Sequence, residues 1–374
     1  MLKVQNILAF EPFYGGSHKA FIDGWIKHSS HHWELLTLPD ENWRWRNRNA
    51  AVTLSTEVEQ VLESGFKPDL IFTTSMIDTS TLISLLPRKL RTLPVITLFH
   101  ENQLHYPLRS DNGRRHIDAV LNDYKSALAS DKVWWNSDYN RKTLLENLPE
   151  FFKTVRIEDT KELHRNIDKI NKKSQVIPLG IDKFEPKFST GGEPVHIVWA
   201  ARWEHDKNPE EFFRALNILK TKGFNFKLSV IGEKTIGTPK CFNWAKERFK
   251  DEIVNWGFLP SRADYIKCLQ NADIVVSTSK HEFFGLSIFE AVSAGCLPIL
   301  PNRVVYPELF ADFPQFIYQE TTEAFIEKLE EFITLYETNL TEFNKLQKQV
   351  AAHARQYHWH NAAHRLDQFT SRLT

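Results

Sequence analysis

The 374-residue sequence has little of several features that would mark a special class of protein. It contains three cysteines, an odd number with no Cys-x-x-Cys pair, which favours neither a disulfide framework nor a thiolate zinc site. Lysines and arginines number 47, as do aspartates and glutamates. Because there is no net charge, any contact with nucleic acid requires a local basic patch. No apolar run approaches the ~18 residues that would span a bilayer. We expect a cytoplasmic protein, and no obligate protein partner is evident.

The composition is otherwise that of an ordinary globular protein. Apolar residues make up 42% and charged residues 25% of the chain, which excludes disorder as its main state. The length favours two domains over one. Residues 1–10 hold only a short apolar stretch that leads into Tyr14-Gly15-Gly16. We expect a first buried strand there, and not a signal peptide.

Short apolar runs alternate with amphipathic stretches, as in the β-α-β units that build parallel sheets. The predicted strands are 7–10, 70–72, 95–99, 132–135 and 175–177 in the first half, and 196–200, 227–231, 253–254, 273–276 and 297–300 in the second. A segment with two prolines and two adjacent glycines, 184–194, is typical of a linker. The predicted domains are therefore 1–186 and 187–352, with a C-terminal helix at 353–374 that packs back on the N-terminal domain.

Two further segments carry predictions about local structure. Residues 151–174 contain seven Lys/Arg against four Asp/Glu and little periodicity, so we expect a surface insertion that is partly helical. After Pro307 the pattern becomes helical to the end, with Phe325, Leu329 and Phe332 at helical spacing. Thr322 is the predicted N-cap of that helical region.

A loop with one glutamate and a helix with another follow one of the predicted strands of the second half. Glu282 lies before the helix and Glu290 lies within it. The backbone N–H groups of Phe284, Gly285 and Leu286 would be unpaired donors at the helix N-terminus, which is a ready anion site. Glu290 could accept from a ribose diol and Glu282 could hold sugar hydroxyls. Alternatively the two glutamates are plain structure, because the helix dipole favours acidic residues near its N-terminus.

Arg202 and Lys207 follow the first predicted strand of the second half. Two cations at a strand end would neutralise a diphosphate, and arginine suits bidentate contact with it. Taken alone, the segment is better explained as a solvated turn of mixed charges. The turn that contains Gly257 and Leu259, taken alone, only ends a strand.

In the first half, Gly15 and Gly16 join the first strand to a helix, and His100 ends the strand 95–99. Glycines let the backbone approach a ligand closely, although the pair can equally be a simple connection. A histidine at a strand end is by itself more often a structural group.

Several of these motifs together resemble a known family. Residues 282–298, EFFGLSIFEAVSAGCLP, resemble the glutamate-x7-glutamate motif of the retaining glycosyltransferases of the GT-B fold, with Phe283 where glycine is usual. Residues 10–19, FEPFYGGSHK, then 38–46, LPDENWRWR, and 99–103, FHENQ, are similar to the tRNA-queuosine mannosyltransferase family within that group. The likeness covers essentially the whole chain.

The resemblance implies an α/β protein of GT-B fold, with two Rossmann-like β/α/β domains that face a central cleft. It implies a retaining transfer of mannose from GDP-mannose to queuosine in a tRNA anticodon, with no cofactor and no metal ion. It also implies roles for residues at the matching positions. Those expected to act on the diphosphate and the transferred sugar are Arg202, Lys207, Glu282 and His100. Those expected to bind the rest of the donor are Gly15, Gly16, Gly257, Leu259, Phe284, Gly285, Leu286 and Glu290.

The expected acceptor segment interleaves arginines with tryptophans in the first half. Its residues are Trp43, Arg44, Trp45, Arg46 and Arg48. Unstacked bases can lie on arginine planes and aromatic faces while the cations neutralise phosphates. The alternative is a lid whose tryptophans pack on the domain.

Other functions remain open from the residues alone. His360 and His364 have the spacing of a helical zinc pair, but no further ligand completes a site, so no metal is expected. The two glutamates could serve a glycosidase, but that leaves Arg202 and Lys207 without a role. The remaining alternatives are a mannosyl- or glucosyltransferase acting on a lipid or glycan, and a sugar-nucleotide-binding protein that lacks catalysis.

Overall fold

The computed structural model describes residues 3–106, 117–155, 160–235 and 237–372. The chain divides into two compact units: unit 1 comprises Met1–Gly180 and Trp359–Thr374, and unit 2 comprises Ile181–His358. The divisions thus follow residues 180 and 358, whereas the predicted divisions follow residues 186 and 352. Each unit contains a six-stranded sheet. The predicted α/β class is confirmed.

Unit 1 alternates strands and helices for most of its length. Its strands are β1 (Asn6–Tyr14), β2 (His32–Pro39), β3 (Leu70–Thr74), β4 (Val95–Phe99), β5 (Lys132–Trp135) and β6 (Ser174–Val176). Its helices up to that point are α1 (Gly16–His28), α2 (Trp43–Ser55), α3 (Val58–Glu63), α4 (Thr79–Leu85), α5 (Ile117–Ala129), α6 (Asp138–Leu145), α7 (Leu148–Thr154) and α8 (Thr160–Lys173). Every residue of β3 and β4 is buried, as expected of strands covered by helices on both faces of a parallel sheet.

The strand order of unit 1 is β2-β1-β3-β4-β5-β6, and every neighbouring pair is parallel. The direction of winding reverses at β1, because β2 lies on one side of it and β3 on the other. In doubly wound sheets, ligands bind beyond the carboxyl ends of the strands at such a reversal. The loops after β1, β3 and β4 are therefore the part of unit 1 where a site is expected.

Unit 2 has the same kind of architecture. Its strands are β7 (Val195–Ala200), β8 (Phe226–Ile231), β9 (Ile253–Gly257), β10 (Ile274–Val276), β11 (Leu297–Pro301) and β12 (Ile317–Tyr318). Its helices are α9 (Pro209–Thr221), α10 (Cys241–Arg248), α11 (Arg262–Gln270), α12 (Leu286–Ala294), α13 (Tyr306–Leu309), α14 (Thr322–Thr338) and α15 (Leu340–Ala354). The strands are parallel in the order β12-β11-β10-β7-β8-β9, so the winding reverses at β7.

The chain returns to unit 1 through its last helix, α16 (Trp359–Thr370). Trp359 lies against Gly24 and Gly180, where an added Cβ atom would approach its ring to 2.1 and 2.4 Å. The Asp367 carboxylate accepts hydrogen bonds from Trp25 Nε1 at 2.9 Å and from the Ser30 backbone N–H at 2.7 Å. Shape and buried hydrogen bonds therefore fix α16 to α1 and the turn that follows it.

Some local predictions need correction. The N-cap of α14 is Thr321, whose side chain accepts from the Ala324 N–H, and not Thr322. The stretch after Pro307 is not purely helical, because it contains the short strand β12. The basic segment 151–174 is helical in α7 and α8, and residues 156–159 lie outside the described residues. In the described part of the chain, no helix has the length and apolar character needed to cross a membrane.

Candidate active site

In unit 2 the loops after β7 and β10 are joined by hydrogen bonds to backbone carbonyls. The Lys280 N–H donates to the Asp206 carbonyl at 2.7 Å, and the Thr278 hydroxyl donates to the Lys207 carbonyl at 2.8 Å. Both loops leave the sheet at its carboxyl edge, next to the reversal at β7. The predicted residues Arg202, Lys207 and Glu282 thus lie on the edge where ligands bind in this architecture.

Lys207 and Glu282, which the resemblance assigns to different parts of the donor, contact each other directly. The Lys207 ammonium donates to Glu282 Oε2 at 3.1 Å and to the His281 carbonyl at 2.9 Å, with Asp206 Oδ2 3.6 Å away. Burial by itself would raise the pKa of Glu282. The charge and hydrogen bond of Lys207 outweigh it and hold that pKa below its usual range. Glu282 is therefore an ionised carboxylate at neutral pH.

Helix α12 begins at Leu286 after a left-handed residue, Gly285, whose φ of 79° strains any side chain other than glycine. The N-terminus of this helix is the predicted anion site. The backbone N–H groups of Phe284 and Gly285 help to lower the pKa of the Glu282 carboxylate. Glu282 therefore lies at the same helix terminus that a phosphate would use, and the binding of an anion by these amides stays a prediction.

Arg202 differs from Lys207 in its exposure. Its side chain is 52% exposed, and its guanidinium lies 3.6 Å from Glu204 Oε2. An ion pair of that length at the surface contributes little to stability. The Arg202 guanidinium is therefore accessible to an anionic ligand.

Glu290 is held by two residues that the sequence analysis does not single out. Arg262 Nη2 donates to Glu290 Oε1 at 2.5 Å, and the Tyr265 hydroxyl donates to Glu290 Oε2 at 2.8 Å. The Arg262 guanidinium also contacts Asp182 Oδ2 at 3.0 Å. Burial, and next the charge of Glu290, raise the pKa of Tyr265 well above its usual value, so its hydroxyl remains a donor. Each Glu290 oxygen therefore has a fixed orientation.

The loop predicted to receive the nucleotide base follows β9. Gly257 ends the strand with a φ of 101°, and an added Cβ atom there would meet no atom within 4 Å. Phe258, between Gly257 and Leu259, is 65% exposed. An open backbone turn beside an exposed aromatic ring is a surface on which a planar base can lie.

In unit 1 the Gly15-Gly16 turn leads from β1 into α1, with Gly16 at a φ of 49°. His100, directly after β4, is 5% exposed. Its ring lies against the His18 ring, with the centroids 4.2 Å apart. His18 in turn lies between Glu11 and Glu101. Sequence reasoning does not predict this cluster, although the motifs FEPFYGGSHK and FHENQ contain all four residues.

The same cluster is where the described residues bring three possible metal ligands together. One donor atom each from Glu11, His18 and His100 lie within 4.8 Å of one another. However, His18 Nδ1 lies 3.0 Å from Glu11 Oε1, and His18 Nε2 lies 3.2 Å from Glu101 Oε2. Both ring nitrogens of His18 thus face carboxylates, which is the arrangement of a protonated imidazolium and not of a metal ligand.

The predicted acceptor segment forms the first turns of α2. The guanidinium of Arg48 forms an ion pair with Asp118, and Arg46 Nε donates to the Pro39 carbonyl at 3.1 Å. Arg44 stands over the Trp43 ring at 5.5 Å from its centroid. Trp45 is 59% exposed, so it does not pack on the unit as the lid alternative requires.

Comparison with known proteins connects this geometry to a class of enzyme. Sucrose-phosphate synthase from Thermosynechococcus elongatus superposes with a TM-score of 0.71 at 12% identity, over 99% of both chains. Residues 181–356 match the family model described as Glycosyl transferases group 1. The two parallel sheets, with a lysine–glutamate pair and a second glutamate at the carboxyl edge of one of them, define a glycosyltransferase of the GT-B class.

The remaining matches identify the family. Residues 6–181 match the model described as tRNA-queuosine alpha-mannosyltransferase N-terminal. The tRNA-queuosine alpha-mannosyltransferase of Drosophila melanogaster is 35% identical over 339 residues, which are 87% of this chain and 86% of that one. The chain belongs to the tRNA-queuosine alpha-mannosyltransferase family. The GDP-mannose:cellobiosyl-diphosphopolyprenol alpha-mannosyltransferase of Xanthomonas campestris is 28% identical over 107 residues, 28% of each chain.

Proposed function

We propose that this enzyme transfers mannose from GDP-mannose to queuosine in a tRNA anticodon, with retention of configuration and without a metal ion. The observation that carries the proposal is the similarity over 87% of the chain to a relative named for that reaction. The name of the shorter bacterial match supports GDP-mannose as the donor. Because the acceptor is a tRNA, we expect the enzyme to act in the cytoplasm.

The donor diphosphate would be bound by Arg202 and Lys207. Lys207 is fixed by three hydrogen-bond and charge partners, so its ammonium needs no reorganisation when negative charge develops on the leaving group. Preorganised charge of this kind is usually the largest single contribution to catalysis. Arg202, which is half exposed, would close on the diphosphate once it is bound.

Glu290 and Glu282 would bind hydroxyl groups of the donor. Arg262 and Tyr265 orient Glu290 and leave lone pairs on its carboxylate for a ribose diol. Glu282 is ionised and lies at the start of α12, where its carboxylate can accept from sugar hydroxyls. Gly257 and Leu259 would contact the base through their backbone.

The reaction would proceed on one face of the sugar. The bond from the anomeric carbon to the diphosphate breaks, and the bond to the acceptor oxygen forms on the same face. The proton of the acceptor hydroxyl passes to the departing diphosphate, which leaves as GDP. Arg202 and Lys207 would supply the positive charge that a Mg²⁺ ion supplies to the leaving diphosphate in other enzymes, so no metal ion is required.

The decisive experiment compares two tRNAs that differ only in queuosine. Purified enzyme is incubated with GDP-mannose and with queuosine-containing or queuosine-lacking tRNA, and the nucleosides are analysed by mass spectrometry. We expect one added hexose on queuosine alone, and a much smaller yield from GDP-glucose. Transfer that does not depend on queuosine would contradict the assignment of queuosine as the acceptor.

A second candidate is transfer to a lipid-linked glycan, which the name of the Xanthomonas relative favours. It is tested in the same assay by adding a glycosyl-diphosphopolyprenol acceptor. The third alternative, a sugar-nucleotide-binding protein without catalysis, predicts tight GDP binding with no turnover on either acceptor.

A further inference from the structure

Unit 1 contains a buried group of charged side chains at the carboxyl ends of β1 and β4 that the proposed reaction does not use. We call Glu11, His18 and Glu101 the buried triad. Their side chains are 0%, 5% and 15% exposed, respectively. Taking charges out of water costs several kcal/mol for each ion, and well-packed apolar residues often stabilise a fold as well or better. The triad is therefore poorly explained by stability alone.

The triad is rigid because each member comes from a different element and bonds to another. Glu11 lies in β1, His18 lies in α1 and Glu101 follows β4. His18 uses Nδ1 for Glu11 and Nε2 for Glu101, at 3.0 and 3.2 Å. The Phe13 N–H also donates to Glu11 Oε1 at 2.9 Å, and the Ser75 hydroxyl donates to Glu101 Oε1 at 3.3 Å. The plane of the His18 ring is thus determined.

His100 rests on this fixed ring. The His18 and His100 centroids are 4.2 Å apart with a 38° tilt, and Phe21 contacts the His100 ring edge-on with centroids 5.2 Å apart. The backbone N–H of His100 donates to Ser75 Oγ at 3.3 Å, and the Asn136 side chain donates to the backbone carbonyl of His100 at 2.7 Å. Backbone and ring of His100 are therefore held on several sides.

The two ring nitrogens of His100 are nevertheless unused. Both are buried, and neither has a hydrogen-bond partner among the residues that the structure describes. A buried polar atom without a partner destabilises the folded state, so a held ring with two such atoms indicates a ligand that supplies the partners. The position, beyond β4 and beside the reversal of the sheet at β1, is where ligands bind in this architecture.

We propose that the buried triad positions His100 so that its two ring nitrogens exchange hydrogen bonds with hydroxyl groups of a bound substrate. The inference rests on the proposed function, because a sugar and a diol are the hydroxyl-bearing groups of that reaction. Glu11, His18 and Glu101 are thereby assigned as positioning residues, which act through His100 and do not themselves contact the substrate.

The charges around His100 suit this task. The charges of Glu11 and Glu101 outweigh burial and raise the pKa of His18 to about 10. Burial, and next the charge of His18, lower the pKa of His100 well below its usual value. Another titratable group, Asp123 in α5, accepts a hydrogen bond from the Gln103 backbone N–H at 2.7 Å, and burial raises its pKa well above the usual range. A neutral imidazole offers one donor and one acceptor, which is the pair that a hydroxyl group matches.

The test uses histidine side-chain NMR of the full-length, ligand-free protein, so it does not depend on any substrate. The protein is labelled with ¹⁵N-histidine, and signals are assigned with His18→Gln and His100→Gln. We expect His18 to be doubly protonated at neutral pH and His100 to be neutral. In His18→Gln the carboxylates remain without the cation, so the pKa of His100 should rise. A neutral His18 at pH 7, or a His100 signal that does not respond to His18→Gln, would contradict the proposal that the buried triad positions His100.

Kinetics test the positioning role. His18→Gln and Glu101→Gln should each lower kcat of mannosyl transfer by about 10- to 100-fold, as misplacement of a binding group does. The pH profile of His18→Gln should gain an acidic limb that the wild type lacks. His196→Gln is the matched control, because His196 is a buried histidine of unit 2 bonded to Ser229 and the Asn271 carbonyl. It should leave the pH profile and the His100 signal unchanged.

The outcomes separate this inference from the proposed function. If the NMR titrations are as expected but queuosine-containing tRNA accepts no mannose, the proposed reaction is wrong. The titrations then still support the charge states assigned to the buried triad and to His100. If mannose is transferred but His18→Gln and Glu101→Gln behave like His196→Gln, the reaction stands and the positioning role is wrong. Glu101→Gln, at the most exposed member of the triad, keeps the test available if His18→Gln does not fold.

Discussion

Lys207 and Glu282 form an ion pair, with Lys207 Nζ 3.1 Å from Glu282 Oε2, and this contact joins the loops that follow β7 and β10. Asp206 Oδ2 lies 3.6 Å from the same Lys207 Nζ. Removing one partner of a buried pair leaves an uncompensated charge, which is costly. Lys207 therefore stabilises the loops in addition to its proposed role toward the diphosphate, whereas the side chain of Arg202 is 52% exposed.

The first prediction separates these two cations. Arg202→Ala and Lys207→Ala should each lower kcat by roughly 10²–10³, as loss of one preorganised donor does. Only Lys207→Ala should also lower the free energy of unfolding, by about 3–5 kcal/mol, because Glu282 and Asp206 lose their buried cation. Steady-state kinetics and denaturant unfolding measure the two effects.

The control for this pair is Lys222→Ala, which removes a half-exposed cation paired with Glu330 in the same unit. Neither kcat nor stability should change appreciably. Wild-type turnover in Arg202→Ala or in Lys207→Ala would mean that the leaving diphosphate is not bound by that residue.

The second prediction concerns Glu290. Glu290→Ala should weaken GDP binding, and Tyr265→Phe should weaken it to a smaller extent, within about tenfold, because one hydrogen bond that orients the carboxylate is lost. Isothermal titration calorimetry with GDP measures both. Tyr336→Phe is the control, since the Tyr336 hydroxyl donates to the Glu193 carbonyl at 3.0 Å and not to Glu290. Equal dissociation constants for Tyr265→Phe and the wild type would show that Tyr265 does not orient Glu290.

The sequence predicts the strands that are buried on both faces. Strands such as β3 and β4 are continuous apolar runs, so their residues alone are sufficient to find them. Partial burial at a sheet edge does not by itself hide a strand, because the edge strands β6 and β9 are predicted. Strand β2 escapes prediction because its sequence, HWELLTLP, is neither a continuous apolar run nor a regular alternation, and most of its residues are only partly buried. Strand β12, two residues long at the edge of the other sheet, gives no pattern at all.

The candidate site is predicted only in part, for a topological reason. Glu282, Glu290 and Lys207 follow from a motif that is local in sequence. Their partners do not: Lys207 and Glu282 are 75 positions apart, and His18 and Glu101 are 83 positions apart. These contacts depend on which strand ends become neighbours at the reversal of each sheet. No pattern of residue types along the chain contains that information.

The third prediction is a dependence of stability on pH that arises from His18. Its pKa is raised from 6.5 to about 10 in the folded protein. A raised histidine pKa contributes stability that is fully present below about 6.5 and is lost as pH rises through the folded value, with a slope of up to about 1.4 kcal/mol per pH unit. Unfolding by urea across this range should show the decline.

The contribution of His18 is isolated by two glutamate variants of unit 1. Glu101→Gln removes one carboxylate from His18 and should shift the decline to lower pH. Glu146→Gln, at an exposed position after α6, should leave the wild-type curve unchanged. Identical curves for Glu101→Gln and the wild type would contradict the charged state assigned to His18.

The fourth prediction is that transfer does not need a metal ion. Activity with GDP-mannose should survive excess EDTA, because in the proposed reaction Arg202 and Lys207 would supply the positive charge at the leaving group. In addition, both ring nitrogens of His18 face carboxylates, so this ring is not available as a ligand of a metal ion. Initial rates with EDTA, and after adding back Mg²⁺ or Mn²⁺, measure this. Complete loss of activity that either ion restores would contradict the proposed handling of the diphosphate.

The last prediction addresses tRNA binding by the first turns of α2. The charge of Arg48 is compensated by Asp118, whereas the ion pairs of the described residues include none for Arg44 or Arg46. We therefore expect Arg44→Gln/Arg46→Gln to weaken tRNA binding and to flatten its salt dependence by about 1.4–1.8 in log–log slope, at about 0.7–0.9 for each lost phosphate contact. Trp45→Ala should weaken binding by about 1–3 kcal/mol without changing the slope, because a base stacked on the exposed ring is lost.

Affinities measured over a range of salt concentrations check both effects, and GDP-mannose binding should be unchanged in every variant. Arg88→Gln/Lys89→Gln is the matched control, because it removes two exposed cations of unit 1 that precede β4 and so lie away from the carboxyl ends of the strands. If Arg44→Gln/Arg46→Gln keeps the wild-type slope, α2 does not contact the tRNA phosphates. The basic helices within 151–174 are then the next surface to mutate, since α8 also carries an excess of lysine and arginine.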